Sequence, residues 1–517
     1  MKQLKLITFV AALGLTAHAA RAQDDSALLD LLVKKKVISD QEAEQTKAEL
    51  AQQYASTPAG KLSLSTPIQQ IRLYGDARLR YEYREGSNGA AGVNDTANAD
   101  RFRYRLRLGA DVTLTDDWFL GIRLETSNDG RSSNVTESQG GTNTAPFGKA
   151  NTVTSTVITG ITTTKNAAGA ITSVKTTTGT AVSSVNFGST IFVGQLYLRY
   201  KVASWLTVEG GKMPNPFITT PMVWDPDINP EGFAEQFKYT FGPFGGGSTT
   251  AGYDKDGKSS KDVATSSAPG GVTIDLFANL GQFIYDTASP QNQYTSSTAS
   301  PSGRNDTWLF GTQIGARLNL PKSIYLQAAP TFYTYSGNKG NDFAANYSGD
   351  PGGNQIGIND LQVIDVPAEF GWKAWGIPFR AFGDISDNVD SSARATAAGH
   401  PGHSNGLSWQ AGLAINQIKK KGDWSLSAYY QYSGAYALDP NLVDNDIFDS
   451  HQNMQGVVLQ GGYAFTDAVT LNLSYNYGSR IDKALGTGGS DGTLDGSSAS
   501  PALGNYSLVQ FDLNVKF

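Results

Sequence analysis

The sequence predicts an all-β fold, a transmembrane antiparallel β-barrel of about sixteen strands, with eighteen as the alternative count. Three observations predict it: a period of two that recurs along most of the chain, tight links that alternate with long polar loops, and a closing alternation that ends in Phe517. The period is cleanest in residues 101–115. Phe102, Tyr104, Leu106, Leu108, Ala110, Val112 and Leu114 share one face, and Arg101, Arg103, Arg105, Arg107, Asp111 and Thr113 share the other. A soluble antiparallel sheet can also keep one wet face. The same split, however, recurs at 71–83, 118–126, 192–202, 272–280, 308–320, 407–415, 424–432, 457–465 and 469–477, with Gln, Asn, Ser, Thr, Arg and Gly opposite the apolar face. Apolar outside and polar inside is what lipid demands of a closed sheet around water.

Composition agrees. Across 517 residues, 39% hydrophobic and 17% charged content is thin for two or three soluble cores, yet suits strands that face lipid on one side and water on the other. A formal net charge of -6 gives no general attraction to nucleic acid. With no cysteine, disulfide frameworks and thiolate metal sites are excluded. No run of about 18 apolar residues offers a membrane-spanning helix.

Residues 1–22 read as a signal peptide: Lys2 and Lys5, an apolar stretch, then Ala20-Arg21-Ala22, giving a mature start at Gln23. Residues 23–66 read as a short periplasmic helical leader, with Leu28, Leu29, Leu31, Leu32 and Val33 before a capping box at 39–42. Either a mobile leader or a small oligomerisation or cell-wall-tethering element fits it. Residues 67–517 are the barrel. Tight links at 115–117, 203–204, 320–322, 420–423 and 466–467 belong to one end. Long outer loops are expected at 128–189, 213–235, 336–358, 388–404 and 481–504. The link 242–271 breaks this alternation, being long and rich in Gly and Ser. Within 128–189, residues 153–164 and 171–183 flank Asn166-Ala167-Ala168-Gly169 and read as a projecting hairpin.

Val509, Phe511, Leu513, Val515 and Phe517 alternate with Gln510, Asp512, Asn514 and Lys516. The pattern resembles the terminal-strand signal by which bacterial outer-membrane barrels are recognised for assembly. It implies the outer membrane of a Gram-negative bacterium, with membrane lipid and the barrel-assembly machinery as partners. Two further stretches, the leader at 28–50 and Gly211-Lys212-Met213-Pro214-Asn215-Pro216-Phe217 running into Trp224-Asp225-Pro226-Asp227-Ile228-Asn229-Pro230-Glu231-Gly232, resemble the bacterial "putative porin" family. That resemblance implies passive diffusion of small hydrophilic solutes and ions, a homotrimer, and no cofactor.

On the polar faces lie Arg72, Arg78, Arg80, Arg84, Arg101, Arg103, Arg105, Arg107, Arg123, Arg199 and Lys201. Two readings stand side by side. A dense basic row in a narrow aqueous lumen raises local anion concentration; alternatively, the row pairs with acids on facing strands or loops and stiffens the wall. The acidic counterpart is the loop 213–235, stiffened by Pro214, Pro216, Pro221, Pro226 and Pro230 and carrying Asp225, Asp227, Glu231 and Glu235. It is expected either to fold into the lumen against the arginines or to be an ordinary outer loop. Asp384, Asp387 and Asp390 read as a solvated rim.

Catalytic and metal sites are not expected. The mature chain keeps only His400, His403 and His451, without a Ser or Asp constellation around them. A competing reading is a closed, non-conducting barrel that displays adhesive loops; inner faces rich in Gly, Ser and Thr favour an open lumen over it.

Overall fold

The computed structural model describes residues 67–88, 96–114, 117–127, 190–244, 271–286, 307–336, 360–487 and 503–517, strand pieces between 135 and 185, and residues 34, 35, 39 and 44–46. The expected signal peptide, nearly all of the helical leader, the 245–270 link and most of the loops expected at 336–358 and 481–504 lie outside the described residues.

Sixteen antiparallel strands form a closed barrel. They are β1 (Gln70–Asn88), β2 (Thr96–Thr113), β3 (Trp118–Ser127), β4 (Thr190–Ala203), β5 (Leu206–Lys212), β6 (Glu231–Phe244), β7 (Val272–Asp286) and β8 (Thr307–Leu320). Then come β9 (Ile324–Ala328 and Thr331–Ser336) and β10 (Gln362–Asp365 and Ala368–Ala374). Last are β11 (Ile377–Asn388), β12 (Leu407–Ile415), β13 (Trp424–Ser433), β14 (Met454–Ala464), β15 (Val469–Arg480) and β16 (Leu503–Lys516). Each strand pairs with the next, and β16 returns to β1 from Asp76↔Lys516 to Asn88↔Leu503. Asn151–Lys165 and Ile171–Val185 form a separate two-stranded ribbon, where the sequence places a hairpin.

The two faces separate by parity. Leu73, Leu79 and Ile314 are 70%, 62% and 67% exposed, while Arg80, Glu82 and Gln313 on the other parity are 4%, 0% and 0%. Two strands expected to be continuous are interrupted, and proline is the reason: Pro330 and Pro367 have no N–H to give a ladder. The breaks face each other, and the Ala329 N–H donates to the Pro367 carbonyl at 3.0 Å.

Chain direction at the rim depends on glycine at two positions. Gly211 and Gly232 are register partners with φ of 123° and 150°, and a Cβ on either would lie 2.3 Å and 2.1 Å from the carbonyl oxygens of Leu196 and Gln282. The pair lets β5 and β6 turn at the point where the chain leaves for residues 213–230.

Candidate pore constriction

Residues 213–230 lie inside the barrel. Met213, Phe217, Met222, Val223 and Trp224 are buried in one apolar cluster with the inward Tyr197, Phe283, Leu309, Tyr333 and Val363. Phe217 meets the Phe283 and Tyr333 rings edge-on at centroid distances of 6.0 and 5.5 Å, and Trp224 lies 6.3 and 6.4 Å from the same two. Gln313 on β8 fixes the backbone, accepting from the Ile218 N–H at 3.0 Å and donating to the Ile218 carbonyl at 2.8 Å. The prolines thus hold a non-ladder segment against the wall, and aromatic packing seats it.

A second loop, 434–453, which the sequence reading did not single out, folds in beside the first. Ala437, Leu438 and Val443 join the same cluster, and Ile447 and Phe448 belong to a second one with Tyr429, Val458, Leu503, Tyr506 and Leu508. The loops are tied through their backbones: the Asp225 N–H donates to the Leu442 carbonyl at 2.6 Å, and the Asp444 N–H to the Pro221 carbonyl at 3.1 Å. Phe448, Asp449 and Ser450 all carry positive φ, a locally strained tip that presents Asp449 to Arg84 at 3.7 Å. Of the two alternatives the sequence leaves for the first loop, the structure shows the one that folds into the lumen. The inner faces are small and polar where the sequence places Gly, Ser and Thr, and the space they leave receives two loops from the rim.

The arginines face this assembly across the lumen. Arg105 and Arg107 grip Asp76 at 3.0 and 2.7 Å and reach Asp227 of the first loop, each at 3.3 Å. Arg80 is held by Asp512 through two bonds of 2.6 and 2.8 Å, by Glu82 at 3.2 Å and by Asp446 of the second loop at 2.5 Å. Glu82 also takes Arg101 and, at 3.2 Å, Arg103. Arg78 lies 3.7 Å from Asp512, Arg72 3.4 Å from Asp111, and Arg123 2.9 Å from Glu125. Arg199 pairs with Glu209 at 2.5 Å and lies over the Phe119 and Tyr197 rings. Lys201 sits near the short-turn end of β4, its N–H on the Asp117 carbonyl.

Of the four acids assigned to the loop, Asp227 meets the arginines. Asp225 turns away, its carboxylate accepting from the Asp227 N–H at 2.8 Å. Glu231 and Glu235 belong to β6 instead, because the Lys212↔Glu231 pair already begins the ladder: Glu231 takes Lys212 at 2.8 Å and Glu235 accepts from Gln282 at 2.9 Å. The solvated-rim reading of the other acidic set needs correcting at Asp384 alone. Asp384 is buried on β11 and accepts from the Thr220 hydroxyl of the first loop, and Asp390 accepts from Gln362 at 2.6 Å; Asp387 stays exposed.

The loop carboxylates differ sharply in charge. Burial pushes Asp444 up to about 7, with Asp446 and Asp227 adding repulsion that Arg80 only partly offsets. Asp225 is likewise raised by burial and by Asp444. Burial also acts on Asp227 and Asp446, but Arg105 and Arg107 hold the first below the usual carboxylate range, and Arg80 and Arg78 hold the second well below it.

His403 pairs through Nδ1 with Asp482 at 2.7 Å, and no metal-binding group of three or more His, Cys, Asp or Glu occurs among the described residues.

A family model described as "Putative porin" matches residues 85–154 and 145–351. Among solved structures, OprB of Pseudomonas putida at high pH is 10% identical, with 86% of this chain and 94% of that chain covered and a TM-score of 0.42. Its low-pH structure, also 10% identical, covers 86% and 92% at a TM-score of 0.37. The loop L8 deletion mutant of OmpT, an outer membrane protein of Vibrio cholerae, is 10% identical over 87% and 99%, again at 0.37. No curated protein matches the chain.

Proposed function

The chain belongs to the family described as "Putative porin", and from that membership we propose that it is a porin of the Gram-negative outer membrane, giving passive diffusion to small hydrophilic solutes and ions with a preference for anions. The observation that carries the anion preference is a charge imbalance on β1–β5 and β16. The eleven basic residues named from the sequence share that wall with Asp76, Glu82, Asp111, Glu125, Glu209 and Asp512. The remaining counter-charge comes from the loops, as Asp227, Asp446 and Asp449. A solute passing beside the loops meets a wall with more guanidinium than carboxylate, in a low-dielectric tube that focuses its potential.

The inward loops favour a second reading, a closed barrel that conducts nothing and displays its outer loops. Conductance of the purified full chain in a planar bilayer separates the two. Steady ion current, with anions the more permeant, supports the porin; silence supports the structural barrel. Replacing Arg101, Arg103, Arg105 and Arg107 by Gln should then lower the anion-to-cation permeability ratio, and an unchanged ratio rejects anion steering.

A further inference from the structure

We propose that Arg105 and Arg107 form a carboxylate seat for small organic-acid solutes, and that Asp227 is its internal occupant, displaced when a solute carboxylate binds. The inference rests on the porin reading and adds to it a ligand class and a residue that competes with that ligand.

The geometry separates tight partners from a loose one. Asp76, on the wall itself, takes Arg105 and Arg107 at 3.0 and 2.7 Å. Asp227 receives one terminal nitrogen from each arginine: Arg105 reaches its two oxygens at 3.3 and 3.5 Å, and Arg107 reaches one at 3.3 Å. Charge-assisted bonds of this kind ordinarily close to about 2.7–2.9 Å. Toward Arg105 and Arg107, the Asp227 carboxylate therefore stands where a carboxylate belongs without closing on these two groups. Its own chain explains why. Pro226 and the Asp225 turn fix its backbone, and the Trp224 indole, bonded to the Ile228 carbonyl at 3.1 Å, anchors the other side of the turn. The loop cannot move the carboxylate inward without pulling Trp224 from its aromatic cluster.

A free carboxylate carries no such tether and can approach both guanidinium groups at full strength. Arg105 also keeps one buried donor, Nε, with no hydrogen-bond partner among the described residues. The contrast with Arg80 is informative. There the wall and the second loop hold the guanidinium at 2.5 to 2.8 Å, so that position is a closed structural tie and not a seat. Two planar fork donors facing one planar acceptor select a carboxylate over a spherical halide. The same donors also bind phosphate, which is why phosphate is one arm of the test.

The experiment is bilayer electrophysiology on the purified full chain with acetate, succinate, phosphate or chloride as the current-carrying anion, together with swelling of liposomes in a neutral sugar. Wild-type current should saturate with acetate and succinate at lower concentration than with chloride. Asp227→Asn should lower the half-saturating concentration of the organic acids at least threefold, while sugar entry changes less than twofold. Arg107→Gln should raise that concentration about tenfold. Asp227→Asn alone decides the question if the arginine variant fails to fold. An unchanged half-saturation in Asp227→Asn overturns the seat. A parallel rise in sugar entry overturns it too, because the loop has then merely moved. Equal saturation by phosphate overturns the carboxylate preference. No current from the wild type rejects the porin reading itself, an outcome distinct from all of these.

Discussion

Phe517 and Gly75 close the barrel together. They exchange both backbone hydrogen bonds, Gly75 N–H to the Phe517 carbonyl at 2.8 Å and Phe517 N–H to the Gly75 carbonyl at 3.0 Å. The Phe517 ring lies where a side chain on residue 75 would stand, so a Cβ there would come within 2.5 Å of it. An aromatic ring covering a glycine across a strand pair is a known way to pin register, and here it pins the seam between the first and last strands.

The first prediction follows from that contact. Gly75→Val should force the ring off the seam and reduce the fraction of protein that runs as a folded, heat-modifiable species on an unboiled gel. Deleting Phe517 removes two ladder bonds, each contributing about 0.5–1.5 kcal/mol, and should act in the same direction. A wild-type folded fraction in both variants would mean that closure does not depend on this pair.

Much of this was legible in the sequence, and what was not has physical causes. A period of two reports which face a strand residue takes, so the inward arginines and the outward Leu73, Leu79 and Ile314 were readable without coordinates. It reports nothing about a loop returning over the lumen. The first loop advertised itself through five prolines and its acids. The second carried a fainter sign of the same kind. Asp439-Pro440-Asn441 repeats Asp225-Pro226-Asp227, and in both the first carboxylate accepts from the N–H two residues on, at 2.9 and 2.8 Å. Glu231 and Glu235 were misplaced because alternation is uninformative across the first residues of a hairpin stem, where Gly232 sets the bend.

Aromatic seating of the first loop is the second prediction. Trp224 is 3% exposed and sits between Phe283 and Tyr333. Trp224→Ala should cost about 3–5 kcal/mol of local docking energy while leaving the lipid-facing wall intact. Conductance should rise severalfold and become noisy, and the barrel's melting temperature should move little. An unaltered single-channel trace would show that the loop does not restrict the passage.

The glycine pair at the rim gives the third. Gly232→Ala places a methyl against the Gln282 carbonyl in a backbone conformation that L side chains rarely adopt. The β5–β6 hairpin should relax outward and withdraw Asp227 from Arg105 and Arg107. Its signature is a higher anion-to-cation ratio than wild type, since a loop carboxylate has left the wall. A ratio equal to wild type would place the bend elsewhere.

Proton binding to the second loop gives the last. Asp444, pushed up to about 7 by burial and by Asp446 and Asp227, with Arg80 opposing, is neutral in the docked loop at mildly acidic pH. Freed into water, the same carboxyl would titrate near the ordinary value of about 4. The docked state therefore binds the extra proton, so its contribution to docking is full below about pH 4 and is lost as pH rises through 7. Asp227 and Asp446 have the opposite sign. Held below the usual range by Arg105, Arg107, Arg80 and Arg78, they favour docking above about pH 4 and lose that contribution only on acidification. Between pH 5 and 8 those two stay ionised, and Asp444, with the neighbouring Asp225 raised alongside it, is left to titrate. The loops should thus be most firmly seated near pH 5, and open-state conductance should increase from pH 5 to pH 8. Asp444→Asn, which keeps a neutral side chain at every pH, should flatten most of that dependence. A pH profile that survives the substitution unchanged would assign the titration to another group.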